Sequence, residues 1–296
     1  MDPVILVTGA TGLNGGELLR RLSSRGVPVR ALVRNPARAQ AISSLPGVEV
    51  VAGDMSRPET LSAPLRGVER AMLISSSDAT MQDVQSSFIE AAARAGVRHV
   101  VKLSGIIADV DSPFRFARMH REIEKRLEAS GMAYTHIRAG EFMPAYFRQV
   151  PSIVGRNVLA LPMEDGRIAS IDIGDIAEVA AAVLTTGGHE GKVYPITGPE
   201  ALSMAEIAER LSAATGKVIR YVNVTPEDAK KAQLAAGVPP YLVDGLAELF
   251  AERRKGMEAT VWPTIETAFG WRPASFADFA TRNAAVFRGE QPAPRI

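Results

Sequence analysis

Three glycines at a spacing of three, Gly9, Gly12 and Gly15, follow the apolar run Val4-Ile5-Leu6-Val7 and precede a stripe of Leu18, Leu19 and Leu22. Buried strand, glycine turn and amphipathic helix, in that order, form a cradle for a dinucleotide. Gly9 lets the chain turn sharply at the strand end. Gly12 removes a side chain where backbone must approach a pyrophosphate, and Gly15 lets helix and strand pack closely. The helix N-terminus then offers unpaired N–H groups and the positive end of its dipole, and Thr11, Leu13 and Asn14 complete the binding turn. A site for NAD(H) usually carries an acid about 20 residues further on, to hold the ribose 2′-hydroxyl. Here the second strand ends in Arg34, with Arg38 one turn later. A guanidinium can grip a 2′-phosphate bidentately. NADP(H) is therefore favoured, NAD(H) stays open, and the alternative is a pair of solvated surface arginines.

The elements that must position these groups alternate in type. Strands are expected at Val27 to Val33, Val48 to Ala52, Ala71 to Ile74, His99 to Leu103 and Tyr134 to Ile137. Helices are expected at Pro58 to Leu65, Thr80 to Ala95 and Pro113 to Ala129, and Asn35 can cap a turn that Pro36 opens. Such alternation gives a doubly wound parallel sheet with helices on both faces. Ligands bind outside the carboxyl ends of its strands. That rule selects Gly9 to Gly15, Arg34, Asp54, Ser75 to Ser77, Ser104 and Ala139 to Phe142, and it leaves His99 on the far side.

The regularity breaks after about Phe142. Asp165-Gly166 signals a hairpin between Val158–Leu161 and Ile168–Ile171. An alanine-rich helix covers Asp175 to Thr185, and Val193 to Ile196 rejoins the main sheet. Ser203 and Glu206 form a capping box before a helix to Ala214, and a strand follows at Val218 to Val222.

Composition narrows the function classes. The chain has 296 residues, 46% hydrophobic and 23% charged, with a net charge of +1. No field is built for nucleic acid or an anionic membrane. Cysteine is absent, which removes disulfides and thiolate chemistry and fits a reducing compartment. The start MDPVILVTG shows no basic leader, and no apolar run approaches a membrane span. A cytoplasmic protein is expected. Four scattered histidines lack the convergent spacing of a metal site.

The string TGATGLNGG resembles the short-chain dehydrogenase/reductase superfamily in its extended and atypical branches. RALVRNPAR, RMHREIEKRLEASGMAYTHIRAGEFM, ASIDIGDIAEVAAAVL, GKVYPITGPEALSMAEIAERLS and FGWRPASFADF extend the likeness over nearly the whole chain. The chain resembles the NmrA-like atypical members, and within them the quinone reductase and triphenylmethane reductase type. The resemblance implies a Rossmann NAD(P)-binding domain over 1–150 and a smaller α/β substrate-binding lobe over 151–296, with about 170–198 rejoining the Rossmann sheet. It implies a nicotinamide cofactor and an active site between the two parts. The family also includes regulators that bind dinucleotide without reducing anything, so a dinucleotide-sensing regulator is the alternative.

The resemblance assigns further residues. Asp54, with Met55 beside it, stands where the wider superfamily binds the adenine amino group, although Asp54 can equally cap the next turn. Ser75, Ser76 and Ser77 would lie under the riboses or form a polar loop. Typical superfamily members carry Tyr-x-x-x-Lys after the fifth strand, where the phenol protonates a substrate oxygen. None of the five tyrosines here has a lysine four residues on, and the matching pair is Phe116 and His120. His120 matches a histidine of the quinone-reductase branch, which can hold ribose, relay a proton or be satisfied structurally on its helix. Ser104 can orient a substrate oxygen, and Lys102 points to either face of its strand and joins the cofactor set. Gly140 belongs to the same set. Phe142, Met143, Tyr146 and Phe147 form an apolar stretch suited to a planar substrate or to an ordinary core. Asp175 reads as a helix cap. The expected reaction is hydride transfer from NAD(P)H to a quinone or planar conjugated aromatic. A polycyclic natural-product quinone fits, with its hydroquinone then reacting with oxygen. The expected partner is that small molecule, with no nucleic acid and no membrane, for a monomer or homodimer.

Overall fold

An apolar run at the start of the chain becomes an inner strand of a parallel sheet. The computed structural model describes residues 4–108 and 111–294. β1 (Val4–Val7) leads through the glycine turn into α1 (Leu13–Ser24), then β2 (Val29–Val33), α2 (Gln40–Ser43), β3 (Val48–Ala52) and β4 (Val68–Leu73). α3 (Met81–Arg94), β5 (His99–Gly105), α4 (Arg115–Glu128) and β6 (Ala133–Ala139) continue the alternation. Next come α5 (Val150–Arg156), β7 (Val158–Leu161), β8 (Arg167–Ile168), α6 (Ile173–Thr185) and β9 (Lys192–Ile196). The rest is β10 (Leu202–Ser203), α7 (Met204–Thr215), β11 (Arg220–Asn223), α8 (Pro226–Ala235), α9 (Pro240–Arg254), α10 (Phe276–Arg282) and α11 (Ala284–Arg288). Met1-Asp2-Pro3, on which the leader reading partly rests, lie outside the described residues. No described helix is long and apolar enough to cross a membrane.

Seven strands hydrogen-bond in the order β3-β2-β1-β4-β5-β6-β9. β1 pairs in parallel with β2 and β4, setting Ile5 opposite Val29 and Arg70. This is a Rossmann sheet. The chain winds outward in both directions from β1, so the loop after β1 stands at the topological switch point. Ile5, Leu6 and Val7 are fully buried, as expected of a strand covered on both faces. Lys192–Ile196 joins the sheet edge as β9, as its apolar pattern indicates.

The chain divides into two compact units. The first holds Met1–Asp109, Phe116–Arg138 and Ile173–Tyr194, and the second holds Val110–Arg115, Ala139–Asp172 and Pro195–Ile296. The division falls at the end of β6 rather than at 150. Within the first unit α6 packs along α1, and Arg25 reaches Glu178 across them. Pro58 to Leu65 forms only a 3-10 turn over Pro58–Thr60, because Thr60 and Arg57 close it locally on Asp54.

In the second unit the expected hairpin does not form. The turn is present, with Gly166 N–H donating to the Met163 carbonyl at 2.8 Å. Its two arms then take different partners. β7 pairs in parallel with β11, and β8 pairs antiparallel with β10. Ser203 caps α7 with Glu206 answering it, so the capping box is real.

The aromatic stretch after β6 is built into this unit's core. Met143, Tyr146 and Phe147 are only 1%, 4% and 5% exposed. Tyr146 meets Phe276 edge-on at 5.0 Å, and Phe147 packs against Phe279 and Phe287 at 5.4 and 5.5 Å between ring centroids. These three side chains therefore hold the unit together and do not line an open wall. Phe142 differs, being half-buried on a backbone bridge to Ile171.

Two stability measurements follow. A Cβ at Gly15 would stand 2.3 Å from the Gly9 carbonyl oxygen, whereas one at Gly16 would meet nothing closer than 3.7 Å. Gly15→Ala should cost about 1–3 kcal/mol as overpacking, and Gly16→Ala should add up to ~1 kcal/mol as a better helix former. Thermal melts in which both shift the same way would refute that close crossing. In urea melts, Phe147→Ala should lose about 3–5 kcal/mol and Phe142→Ala clearly less; equal losses would return Phe147 to the surface.

Candidate active site

The glycine turn has the geometry of a phosphate cradle. Gly9 sits at φ +60°, where a side chain would be strained and its Cβ would meet Ile74 at 3.0 Å. Gly12 N–H donates to the Gly9 carbonyl at 2.9 Å and closes the turn. Gly12 adopts an extended conformation as the N-cap of α1 and supplies no side-chain cap. The first N–H groups of α1 are thus left for an anion. Thr11 is exposed, Leu13 and Asn14 are half-buried, and the Asn14 Oδ1 is buried without a partner. This cradle fits a dinucleotide pyrophosphate. Thr8 holds it to the sheet: its hydroxyl donates to the Ile74 carbonyl at 2.7 Å and accepts the Ile74 N–H at 2.8 Å. The sequence reading passed over Thr8, although a hydroxyl directly before the first glycine was visible.

At the end of β2, Arg34 and Arg38 are exposed. Asn35 accepts the Ala37 N–H and presents Pro36 at the head of the turn that carries Arg38. Asp54 is committed locally: its Oδ1 accepts both the N–H and the hydroxyl of Ser56 at 2.9 and 2.7 Å. Burial works to raise its carboxyl pKa, but Ser56, Arg57 and Arg34 outweigh this and hold it below the usual range. Met55 is half-buried beside it, and Ser76 and Ser77 are exposed. Ser75 accepts the Gln85 amide at 2.8 Å.

The ends of β5 and α4 carry the unusual chemistry. Lys102 is 0% exposed. Its Nζ lies 2.8 Å from His120 Nδ1 and donates to the Leu103 carbonyl at 3.2 Å. The lysine is thus enclosed against His120 and does not stand on the open rim expected of a cofactor contact. Burial lowers the Lys102 pKa to about 7, with Glu124 opposing and Arg138 reinforcing the shift. Burial and the Lys102 charge together push His120 well below its usual value, so its imidazole is neutral at pH 7. The ring lies over Gly105, where a Cβ would approach Cδ2 to 3.2 Å. Phe116, at the position of the usual tyrosine, is buried. The Ser104 hydroxyl is also buried. It lies beside Glu124 without a well-formed hydrogen bond, so it does not stand on an open rim.

Behind this pair runs a network that the sequence reading missed. Arg138 on β6 makes two bonds to the fully buried Glu124 on α4, at 3.0 and 2.6 Å. Arg121 reaches Glu124 at 3.4 Å and Glu128 at 2.9 Å. His136 Nε2 lies 3.2 Å from Glu128, and burial, with the Lys102 charge, lowers its pKa to about 4. The available signals were the four-residue step from His120 to Glu124 and a charged Arg138 inside an apolar strand. Glu124, Glu128 and His136 bring ligand atoms within 4.8 Å of one another. Their carboxylates already hold guanidinium groups, so the trio reads as part of an ion-pair network.

In the second unit Gly140 donates its N–H to the Ile196 carbonyl at 3.0 Å, and a Cβ there would strike the Ala169 carbonyl at 2.8 Å. Strand packing by itself thus requires a glycine here, apart from the cofactor contact expected of it. Glu141 and Glu258 share Arg253, and burial raises the Glu258 pKa. Asp172 pairs with Arg282.

Known proteins resemble this chain throughout its length. The NmrA-like family profile matches residues 1–276. An NAD(P)H azoreductase from Xenophilus azovorans is 39% identical over 284 residues, 96% of this chain and 99% of that protein. Quinone oxidoreductase 2 of Escherichia coli is 37% identical over 257 residues, 86% of this chain and 87% of that protein. The crystal structure of an NADPH-dependent quinone oxidoreductase from E. coli, complexed with NADPH, superposes with a TM-score of 0.86 at 34% identity, covering 94% of this chain and 99% of that one. With a glycine cradle at the switch point of a Rossmann sheet and a histidine in place of the usual lysine, the chain belongs to the NmrA-like family, in its quinone reductase-like branch.

Proposed function

We propose that this protein, an NAD(P)H-dependent reductase, transfers hydride to a quinone or a similarly conjugated planar aromatic. One observation carries the reading. Where a phenolic acid would act, the buried Phe116 stands, and the neutral His120 is the hydrogen-bonding group that remains. When bound in the cradle, the reduced nicotinamide supplies the hydride. An isolated carbonyl becomes a strongly basic alkoxide and needs an acid at that moment. A reduced quinone spreads its charge over the ring, so one hydrogen bond from His120 Nε2 or a solvent proton serves. The azo bond of a dye is conjugated in the same way. Among the apolar residues proposed for the substrate, Phe142 is half-buried and the other three are buried. A large polycyclic quinone is one such acceptor, and its hydroquinone would return two electrons to oxygen, giving quinone and hydrogen peroxide.

Arg34 and Arg38 favour the 2′-phosphate of NADPH. A charge-assisted bond contributes roughly 1.5–3 kcal/mol, so Arg34→Ala should weaken NADPH at least about tenfold and leave NADH nearly unchanged. Fluorescence titration of both cofactors reads this, and equal losses would remove Arg34 from the phosphate site. The activity is tested with benzoquinones, naphthoquinones, anthraquinones, azo dyes, enones and simple ketones, following loss of nicotinamide absorbance. Quinones and azo dyes should turn over. Turnover of ketones alone would end the proposal. His120→Ala should lower kcat by about 10²-fold with little change in NADPH affinity; a change in affinity alone would make His120 a ribose ligand.

A further inference from the structure

Lys102 is a poor choice for packing. Its ammonium is wholly enclosed, makes no ion pair among the described residues, and feels Glu124 only at longer range. An apolar residue would fill the same space without the desolvation cost. Burial of this kind beside a second titratable group is a mark of function. The geometry says what the function is. His120 has two ring nitrogens, and Nδ1 is taken by Lys102 at 2.8 Å. Nε2 has no hydrogen-bond partner among the described residues.

We propose that Lys102 is the positioning residue for His120: its N–H, donated to Nδ1, holds the imidazole as the Nε2–H tautomer, and its ammonium proton replaces the one that Nε2 gives to the reduced substrate. This rests on the reading of His120 as the group that meets the substrate oxygen. The step balances. Hydride addition leaves an oxyanion. The Nε2–H bond breaks as the new O–H bond forms, and a proton passes from Nζ to Nδ1. The imidazole stays neutral throughout, which its low basicity requires, and Lys102 ends as an amine that solvent reprotonates after product leaves. Neutral imidazole alone could not donate without becoming an imidazolate, so a proton delivered to Nδ1 is what lets Nε2 give up its own and outpace a proton from solvent.

Among the described residues, the polar and titratable groups around the pair come from three elements. β5 supplies the Leu103 carbonyl and Ser104, α4 supplies Arg121, Glu124 and Glu128, and β6 supplies His136 and Arg138. Glu124 helps keep Lys102 charged and Arg138 opposes it. The ammonium form is the one that supplies the proton. With its pKa lowered to about 7, the supply is full below that pH and falls tenfold per unit above it.

The test combines histidine ¹⁵N NMR with kinetics on the full chain. In the wild type at pH 6, the His120 signals, assigned by their loss in His120→Gln, should report the Nε2–H tautomer. An Nδ1–H tautomer would overturn the proposal without any variant. Lys102→Met should bind NADPH within about twofold of wild type and let the His120 pKa rise. It should lower quinone kcat by about 10²-fold and abolish the descending limb near pH 7. Lys102→Arg, whose guanidinium stays protonated, should retain the tautomer and move the limb above pH 9. A Lys102→Met enzyme that keeps both the rate and the limb refutes the inference; if that variant does not fold, the wild-type tautomer and the Lys102→Arg profile decide. His120→Ala separates the two claims. Full activity there refutes the reading of His120 itself, whereas a slow His120→Ala beside a normal Lys102→Met refutes only the role of Lys102.

Discussion

The carbonyl oxygen of Gly9 sits where the Cβ of residue 15 would have to be, 2.3 Å from its ideal position. Everything at the carboxyl rim of the first unit depends on that crossing. It lets α1 start directly above the end of β1, so that its first N–H groups point at one spot. Thr8 and Ile74 lock the end of β1 to that of β4, and Gly12 N–H folds back onto the same Gly9 carbonyl. The helix cannot slide along the sheet without breaking this set. A dinucleotide bound there would be placed by backbone alone, which leaves side chains such as Arg34 free to choose between cofactors.

A second constraint is the placement of charge away from water. In the first unit Arg121 and Arg138 are matched by Glu124 and Glu128. That set is neutral, so a proton on Lys102 is the excess charge, and burial, with Arg138 reinforcing it, brings its amine down to about 7. The opposite imbalance occurs in the second unit. There Glu141 and Glu258 compete for Arg253, and burial drives Glu258 upward, toward its protonated form. Buried ion pairs contribute little net stability. The position of each excess charge therefore speaks of use more than of folding, and the excess in the first unit adjoins His120, whose Nε2 has no hydrogen-bond partner among the described residues.

The glycine turn, the strand–helix alternation and the return of β9 were legible in the sequence because each rests on local periodicity or on residues with special backbone freedom. The hairpin at Asp165-Gly166 was misread for a related reason. The turn chemistry is local and correct, but strand partners are chosen by distant segments, here Arg220–Asn223 and Leu202–Ser203. Met143, Tyr146 and Phe147 failed on a different ground. A core and a flat apolar pocket want the same residues, and only the arrival of Phe276, Phe279 and Phe287 tells them apart. Lys102 was ambiguous because a strand offers two faces and the residue's partner lies 18 positions away on α4. The Glu124–Arg138 pair joins two elements whose contact no short-range pattern encodes.

Exchanging a tyrosine–lysine pair for Phe116 and His120 changes which substrates a Rossmann reductase can accept. A phenol beside an ammonium donates a full proton to an emerging alkoxide. A neutral imidazole tied at Nδ1 donates a hydrogen bond readily but a proton only when another arrives behind it. Such a site favours products whose oxyanions are weakly basic, because these wait for the proton at little cost. On the proposed reading it would leave unassisted ketones unreactive even when they bind. Selection for conjugated acceptors would then reside in acid strength more than in pocket shape. That agrees with a structure in which most of the aromatic stretch after β6 is spent on the core, and of its proposed substrate residues Phe142 is the half-buried one.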